Sequence, residues 1–253
     1  MKKVALITGA TSGIGEATAL MFASNGYNLI ITGRRSDRLK RLKNRLEDDL
    51  VKVLDLCFDV RDEGQVKVMI GQLPQEWKTI DILINNAGLA AGLDSIDTGD
   101  SDDWNRMIDT NIKGLLYVTK EVVGIMKEKN TEGHIINIGS IAGKEVYPHG
   151  NVYCATKHAV DALTKGMRLD LLKHNIKVTQ ICPGAVETEF SLVRFHDDAE
   201  RAKSVYKGYD SLVAMDIADC IWFVVSRPKH VNINDMIVMP TAQASSSVFL
   251  KNK

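Results

Sequence analysis

Nothing in this chain sets up a disulfide framework. It holds 4 cysteines in 253 residues, and Cys57, Cys154, Cys182 and Cys220 stand far apart with no paired spacing. They read as buried, reduced thiols of a cytoplasmic protein rather than as cross-links or a zinc cluster. The 6 histidines form no His-Glu-x-x-His pattern, so no metal site is expected. Charge of one sign is not in excess, since Lys+Arg and Asp+Glu both number 32. A broad basic face for nucleic acid or acidic lipid is therefore not expected, although a local basic pocket is still allowed. Long apolar runs are missing as well. The opening Val4-Ala5-Leu6-Ile7 is cut at once by Thr8-Gly9, too early for a secretory core or a membrane span. No repeat, low-complexity segment or linker interrupts the chain.

What remains is ordinary globular usage, with 45% hydrophobic and 25% charged residues. Apolar runs predict strands at Val4–Thr8, Asn28–Thr32, Val51–Phe58, Ile80–Asn85, His134–Ile138, Lys177–Ile181 and Met236–Met239. Most are continuous rather than alternating, the mark of strands covered on both faces. Helical stretches separate them. One aligns Ile14, Ala17 and Met21; another, from Val152 to Leu169, aligns Val152, Ala155, Ala159, Ala162 and Leu169 as its apolar side. Alternating strands and helices predict an α/β fold: a parallel sheet of about seven strands with right-handed crossovers. Helices cover both faces, and residues 1–253 form a single domain. The charged stretch at about 185–210 carries no clear strand and reads as a substrate lid over the strand ends.

The first strand runs into Thr8-Gly9-Ala10-Thr11-Ser12-Gly13-Ile14-Gly15, and a helix follows. Glycines there allow a tight turn and close approach of a pyrophosphate, and the helix N-terminus offers free N–H groups to it. A dinucleotide site for NAD places an acid some 20 residues further on, bonded to the ribose 2′-hydroxyl. Here that window reads Thr32-Gly33-Arg34-Arg35-Ser36, with no acid before Asp37. Arg34 and Arg35 suit a 2′-phosphate, which a carboxylate would repel, so NADP is the expected cofactor. Asp59, at the end of the third strand, is placed either to bond the adenine amino group or to cap the helix after Arg61. Asn85-Asn86-Ala87-Gly88 closes the fourth strand with small residues that permit close cofactor approach.

Tyr153 and Lys157 stand four apart on a predicted helix, hence on one face and one turn apart. An isolated phenol titrates near pH 10, too high for a base at neutral pH. A neighbouring ammonium, together with an oxidised nicotinamide, favours the phenolate. Alone, this spacing also fits a surface pair; the glycine turn about 140 residues upstream is what points to chemistry. Ser140 follows the fifth strand and can either orient a substrate oxygen or cap a turn. Asn111, a mediocre helix former inside a helix, suggests a polar task such as holding water that relays protons through Lys157.

Together these residues resemble the short-chain dehydrogenase/reductase family, across nearly the whole chain, which implies a Rossmann-type, doubly wound parallel sheet with strand order 3-2-1-4-5-6-7. Thr8 to Gly15 is similar to its glycine motif and Asn85-Asn86-Ala87-Gly88 to its strand-four motif. Asn111, Ser140, Tyr153 and Lys157 are similar to its catalytic tetrad. Pro183-Gly184 is similar to the motif beside the nicotinamide, with Thr188 where the carboxamide is contacted. The resemblance implies a cofactor site of Gly9, Thr11, Ser12, Gly13, Ile14, Gly15, Arg34, Arg35, Asp59, Val60, Asn86, Ala87, Gly88, Tyr153, Lys157, Pro183, Gly184, Val186 and Thr188. Leu73-Pro74, Glu76-Trp77, Glu189-Phe190-Ser191 and His230-Val231-Asn232 further resemble the branch of NADP-dependent 3-hydroxy acid, or serine/allo-threonine, dehydrogenases. That branch implies a cytoplasmic homotetramer that oxidises small β-hydroxy acids or reduces the matching carbonyl compounds. Ala185 departs from it, standing where a larger apolar residue is usual. For such a substrate Ser140 and Tyr153 would hold the oxygen. Arg194 would hold the carboxylate, or else serve the lid surface or a subunit contact. Reduction of other carbonyls such as 3-oxoacyl thioesters, and cofactor binding without turnover, are the rival expectations. No nucleic acid or membrane partner is expected.

Overall fold

The strand Val4–Ile7 (β1) is buried along its whole length, and its side chains alternate between two cores. Ala5 and Ile7 enter one apolar cluster, Val4 and Leu6 the other. A strand with two dry faces has to lie inside a sheet, between helical layers. In this computed structural model, which describes residues 2–252, β1 is an interior strand of a seven-stranded sheet. The other strands are Asn28–Gly33 (β2), Val53–Cys57 (β3), Ile82–Asn85 (β4), His134–Ile138 (β5), Lys177–Pro183 (β6) and, after two short strands described below, Asp235–Val238 (β9). The order is β3-β2-β1-β4-β5-β6-β9 and every pairing is parallel. This is the expected doubly wound topology, with each strand end within two residues of its predicted place. Met1 and Lys253, part of the expected domain, lie outside the described residues.

Helices Gly13–Ser24 (α1), Ser36–Leu46 (α2), Glu63–Gly71 (α3), Ser101–Ile108 (α4), Leu115–Glu128 (α5) and Asn151–Leu171 (α6) connect the first six strands. One core packs α1 and α2, with Phe22 and Leu39 fully buried, under Ile7, Ile31 and Ile84. The other packs α3 and α5, through Ile70, Val122 and Met126, over Leu6, Ile30 and Leu83. Beyond β6 come the pair Val186–Glu187 (β7) and Leu212–Val213 (β8), with Phe190–Arg194 (α7) and Ala199–Val205 (α8) between them. The segment at about 185–210 thus contains one strand, β7, whose parallel partner β8 follows just after it; both are too short for a periodicity to register. Ala214–Val225 (α9) follows and packs on α1. Among the described residues no helix is long and apolar enough to cross a membrane.

Three local expectations are corrected. The apolar side proposed for α6 faces outward: Ala155 and Ala162 are exposed and Leu169 is 78% exposed. The buried face instead carries Tyr153, Cys154, Thr156, Lys157, Val160 and Thr164. Polar side chains point inward here because they have a task there, which hydrophobicity alone does not register. Asp59 does not cap α3; Asp62 does, accepting from the backbone of Gln65 at 3.0 Å. The thiols are not all buried, since Cys57 is exposed and Cys220 half-buried. The apolar tail docks on its own chain through Phe249, whose ring lies 5.1 Å from that of Tyr209, while Val248 and Leu250 stay exposed.

Phe22 meets Tyr27 and Trp222 edge-on, with centroids at 5.1 and 5.5 Å, and thereby joins α1 to α9. Phe22→Ala should lower the unfolding free energy by about 3–5 kcal/mol in urea titrations, through lost burial plus a cavity. A loss below about 1 kcal/mol would show that the site collapses freely.

Candidate active site

The C-terminal edge of the parallel sheet is where a crevice opens in such folds. A cleft of about 530 Å³ lies there. Its floor starts at the glycine turn. Gly9 and Gly13 have φ of +65° and +55°, the left-handed region that glycine enters without strain. A Cβ on Gly15 would stand 2.4 Å from the carbonyl oxygen of Gly9, so the helix start can approach the turn only without a side chain. β4 locks the turn in place. Asn86 Nδ2 donates to the carbonyls of Thr8 and Gly9 at 2.9 and 3.1 Å, and Thr8 Oγ1 accepts from the backbone of Asn86 and Ala87 at 3.0 Å each. A backbone held open this way can receive a pyrophosphate without rearrangement.

Arg34 and Arg35 follow β2 at the same edge. The Arg34 side chain is 57% exposed and faces Asp59 at 3.8 Å. Arg35 is tied down: its Nε and Nη2 donate to Thr11 Oγ1 at 3.1 and 2.8 Å, and Nη2 also to Ser12 Oγ at 2.8 Å. Its Nη1 meets Glu189 at 2.9 Å. Asp59 is bound by Arg61 through Nε and Nη2, at 3.0 and 2.6 Å to Oδ2. Burial raises its pKa, but the Arg61 and Arg34 cations outweigh that and hold the carboxyl below the usual range.

Tyr153 and Lys157 sit on the buried face of α6, only 8% and 7% exposed. The Lys157 ammonium donates to the carbonyl of Ile138, the last residue of β5, at 2.9 Å. Burial lowers the lysine to about 8. Burial also pushes the Tyr153 phenol up, helped by Tyr147, while Arg194 and the Ser140 side chain act downward. The expectation that Lys157 makes this phenol acidic is therefore not met by the chain alone. The ammonium is turned to Ile138 and stands 6.0 Å from the ring centroid, and desolvation outweighs attraction at that range.

Ser140 lies beside the phenol, and its oxygen accepts from the backbone of Ala142 at 3.1 Å. It is thus a turn cap whose own proton is left to donate. Asn111 is not in a regular helix but in a π-type turn, Asp109–Gly114, that widens the junction of α4 and α5. Its amide is spent on protein: Nδ2 donates to Leu89 O at 2.8 Å and Thr156 Oγ1 at 3.0 Å, and Oδ1 accepts from Leu89 N at 2.8 Å. Asn111 and Gly15 stand behind the cleft wall, while the other expected site residues line it, including Val60, Gly88, Pro183, Gly184, Val186 and Thr188.

Arg194 comes from α7 and lies over the Tyr153 ring at 5.0 Å and the Phe190 ring at 5.5 Å. It donates to the Tyr147 hydroxyl, and its buried Nε has no hydrogen-bond partner among the described residues. Tyr147, Phe190 and Gln243 are cleft residues that sequence reasoning missed. Gln243 Oε1 accepts from Ala185 N at 2.8 Å and folds the tail against the site. No spacing announces Tyr147 or Gln243, which reach the cleft from a loop and from the tail; Phe190 opens α7 within the Glu189-Phe190-Ser191 motif, which by itself assigns it no place in the cleft.

The depressed Lys157 gives a signed pH dependence. Its folded pKa of about 8 lies below the ordinary 10.5, so between those values the unfolded chain binds more protons and stability rises with pH. Wild type should therefore gain about 2–3 kcal/mol over Lys157→Met from about pH 7 to about pH 10. Denaturant titrations of both proteins at the two pH values check this; a pH-independent difference would mean that the lysine is not desolvated.

Residues 3–199 match the family described as short chain dehydrogenase. The NADP-dependent 3-hydroxy acid dehydrogenase YdfG of Salmonella typhi is 46% identical over 242 residues, 95% of this chain and 96% of that protein. Sulfoacetaldehyde reductase 2 of Chromohalobacter salexigens is 43% identical over 247 residues, 98% of each chain. The closed form of serine dehydrogenase complexed with NADP+ superposes with a TM-score of 0.91 at 43% identity, covering 99% of this chain and 100% of that one. With its motifs in this order on this sheet, the chain belongs to the short chain dehydrogenase family.

Proposed function

We propose that the chain is an NADP(H)-dependent oxidoreductase acting on small 3-hydroxy acids, serine-like in size, or on the corresponding carbonyl compounds. One observation carries this: a buried phenol and ammonium one helical turn apart, with a guanidinium stacked on the phenol, in the cleft that begins at the glycine turn. The relatives named for NADP and for 3-hydroxy acids support it. The close turn that glycine alone allows at Gly9, Gly13 and Gly15, and two arginines where an acid would favour NAD, fit that dinucleotide. When bound, the nicotinamide supplies a hydride acceptor or donor; the remaining tasks fall to the chain.

The residues of the glycine turn, Val60, Asn86 to Gly88, Pro183, Gly184, Val186 and Thr188 hold the dinucleotide. Arg34 and Arg35 take its 2′-phosphate, and Asp59 its adenine edge. Ser140 donates its free proton to the substrate oxygen and so orients it. Tyr153 exchanges the proton of that oxygen. Burial keeps the phenol protonated, the form that gives a proton to a nascent alkoxide during carbonyl reduction. Lys157 opposes that burial as a cation and holds the ribose. Asn111 acts by positioning: it fixes Leu89 and Thr156 around the lysine. Residues 185–210 serve as the lid, which brings Arg194 over the phenol. There the arginine takes a carboxylate, two N–H bonds to two oxygens. A sulfonate presents similar acceptors, consistent with the reductase relative.

The exposed apolar stripe of α6, with Leu169 and the adjoining Leu172 at 78% and 74% exposure, suits burial between subunits and supports a homotetramer. Unpaired cysteines suit a cytoplasmic setting.

Steady-state kinetics with serine, 3-hydroxypropionate and 3-hydroxybutyrate against NADP and NAD test the assignment; turnover only with uncharged or thioester carbonyls would overturn it. Arg194→Ala should raise KM for hydroxy acids by roughly 10- to 100-fold, the worth of a charge-assisted pair, and leave uncharged alcohols nearly unchanged. Equal effects on both would remove Arg194 from the substrate.

A further inference from the structure

The segment after β2 lacks a carboxylate, but the tertiary structure supplies one. Glu189, immediately before α7, places Oε2 at 2.9 Å from Arg35 Nη1 and Oε1 at 2.6 Å from Arg38 Nη1. The two arginines hold its carboxyl below the usual range despite partial burial. Every nitrogen of the Arg35 guanidinium now has a protein partner: Thr11 on Nε, Thr11 and Ser12 on Nη2, and Glu189 on Nη1. A 2′-phosphate seeking two N–H bonds from this fork has to displace one of them. Thr11 and Ser12 are hydroxyls and can turn their own protons to a phosphate. Glu189 is the only anion among the three partners, and it repels one. It also has another cation to keep, Arg38. Asp59 is no such occupant of Arg34, since at 3.8 Å it makes no hydrogen bond to that guanidinium and is bonded to Arg61 instead.

We propose that Glu189 is an exchangeable counter-ion of Arg35, which it binds in the absence of a 2′-phosphate and releases, retaining Arg38, when that phosphate arrives. Glu189 thereby sets the affinity for the phosphorylated dinucleotide and not for the unphosphorylated one. It is a specificity-determining residue supplied by the lid. Because α7 begins at the next residue, the exchange reaches the helix that lays Arg194 on Tyr153. The inference rests on the NADP reading above.

Direct binding separates the two. NADPH and NADH fluorescence titrations and stopped-flow displacement need no turnover. Glu189→Gln should bind NADPH about threefold to tenfold more tightly at low salt and release it more slowly, with NADH unchanged within about twofold, as expected for removing one repelling surface charge. Arg38→Ala strips Glu189 of its second partner, holds it on Arg35 and should weaken NADPH binding. The double variant Glu189→Gln/Arg38→Ala should return to the affinity of Glu189→Gln alone. Equal loosening of both nucleotides in Glu189→Gln would make Glu189 a plain lid latch and overturn the proposal. So would an unchanged NADPH affinity, or a double variant as weak as Arg38→Ala, which would put Arg38 directly on the phosphate. Failure of the wild-type chain to bind either nucleotide would instead overturn the cofactor reading, and this proposal with it.

Discussion

The hydrogen bond from the Lys157 ammonium to the carbonyl of Ile138 is the contact around which the site is arranged. A buried cation is costly unless something compensates its lost hydration. Here a strand-end carbonyl does so, and it ties α6 to the end of β5. That anchorage sets the azimuth of α6. With Lys157 inward, Tyr153 one turn earlier is inward as well, and the apolar residues on the other side have to face out. The exposed stripe of Ala155, Ala162 and Leu169 is thus a consequence of the buried polar pair.

Around that anchor, each wall of the cleft is held by side chains bonded to backbone. Asn86 clamps the glycine turn, Asn111 clamps Leu89, and Gln243 clamps Ala185. Each amide satisfies backbone groups that irregular chain would otherwise leave unpaired. Such contacts keep strand ends and loops in open conformations that a ligand can enter without first reordering them. The π-type turn at Asn111 belongs to the same arrangement. It gives up regular helical pairing to aim one amide at a loop.

Electrostatics divide the cleft into two regions. Near β2, four cations, Arg34, Arg35, Arg38 and Arg61, share Asp59 and Glu189 within hydrogen-bond or ion-pair range. At the other end, Arg194 rests on aromatic faces with its Nε unpartnered. Both regions suit anions, as the proposed function requires: a phosphorylated dinucleotide at one end and a small acid at the other. Neutral overall charge conceals this, because the balance is struck over the whole surface rather than within the cleft.

Sequence by itself determined the parallel sheet, the glycine turn and the pairing of Tyr153 with Lys157. These follow from local periodicity and from spacing along one element, where residues close in sequence are close in space. It misjudged the facing of α6, because Ala155, Ala159 and Leu169 count as apolar while the buried Thr156, Lys157 and Thr164 do not. Only the tertiary structure decided that Asn111 is spent on Leu89, that Asp59 is held by Arg61, and that Glu189 and Arg194 reach across to Arg35 and the phenol. Those partners meet across long chain separations, 154 residues for Arg35 and Glu189. No periodicity reports such a distance; only the folding of the lid over the strand ends closes it.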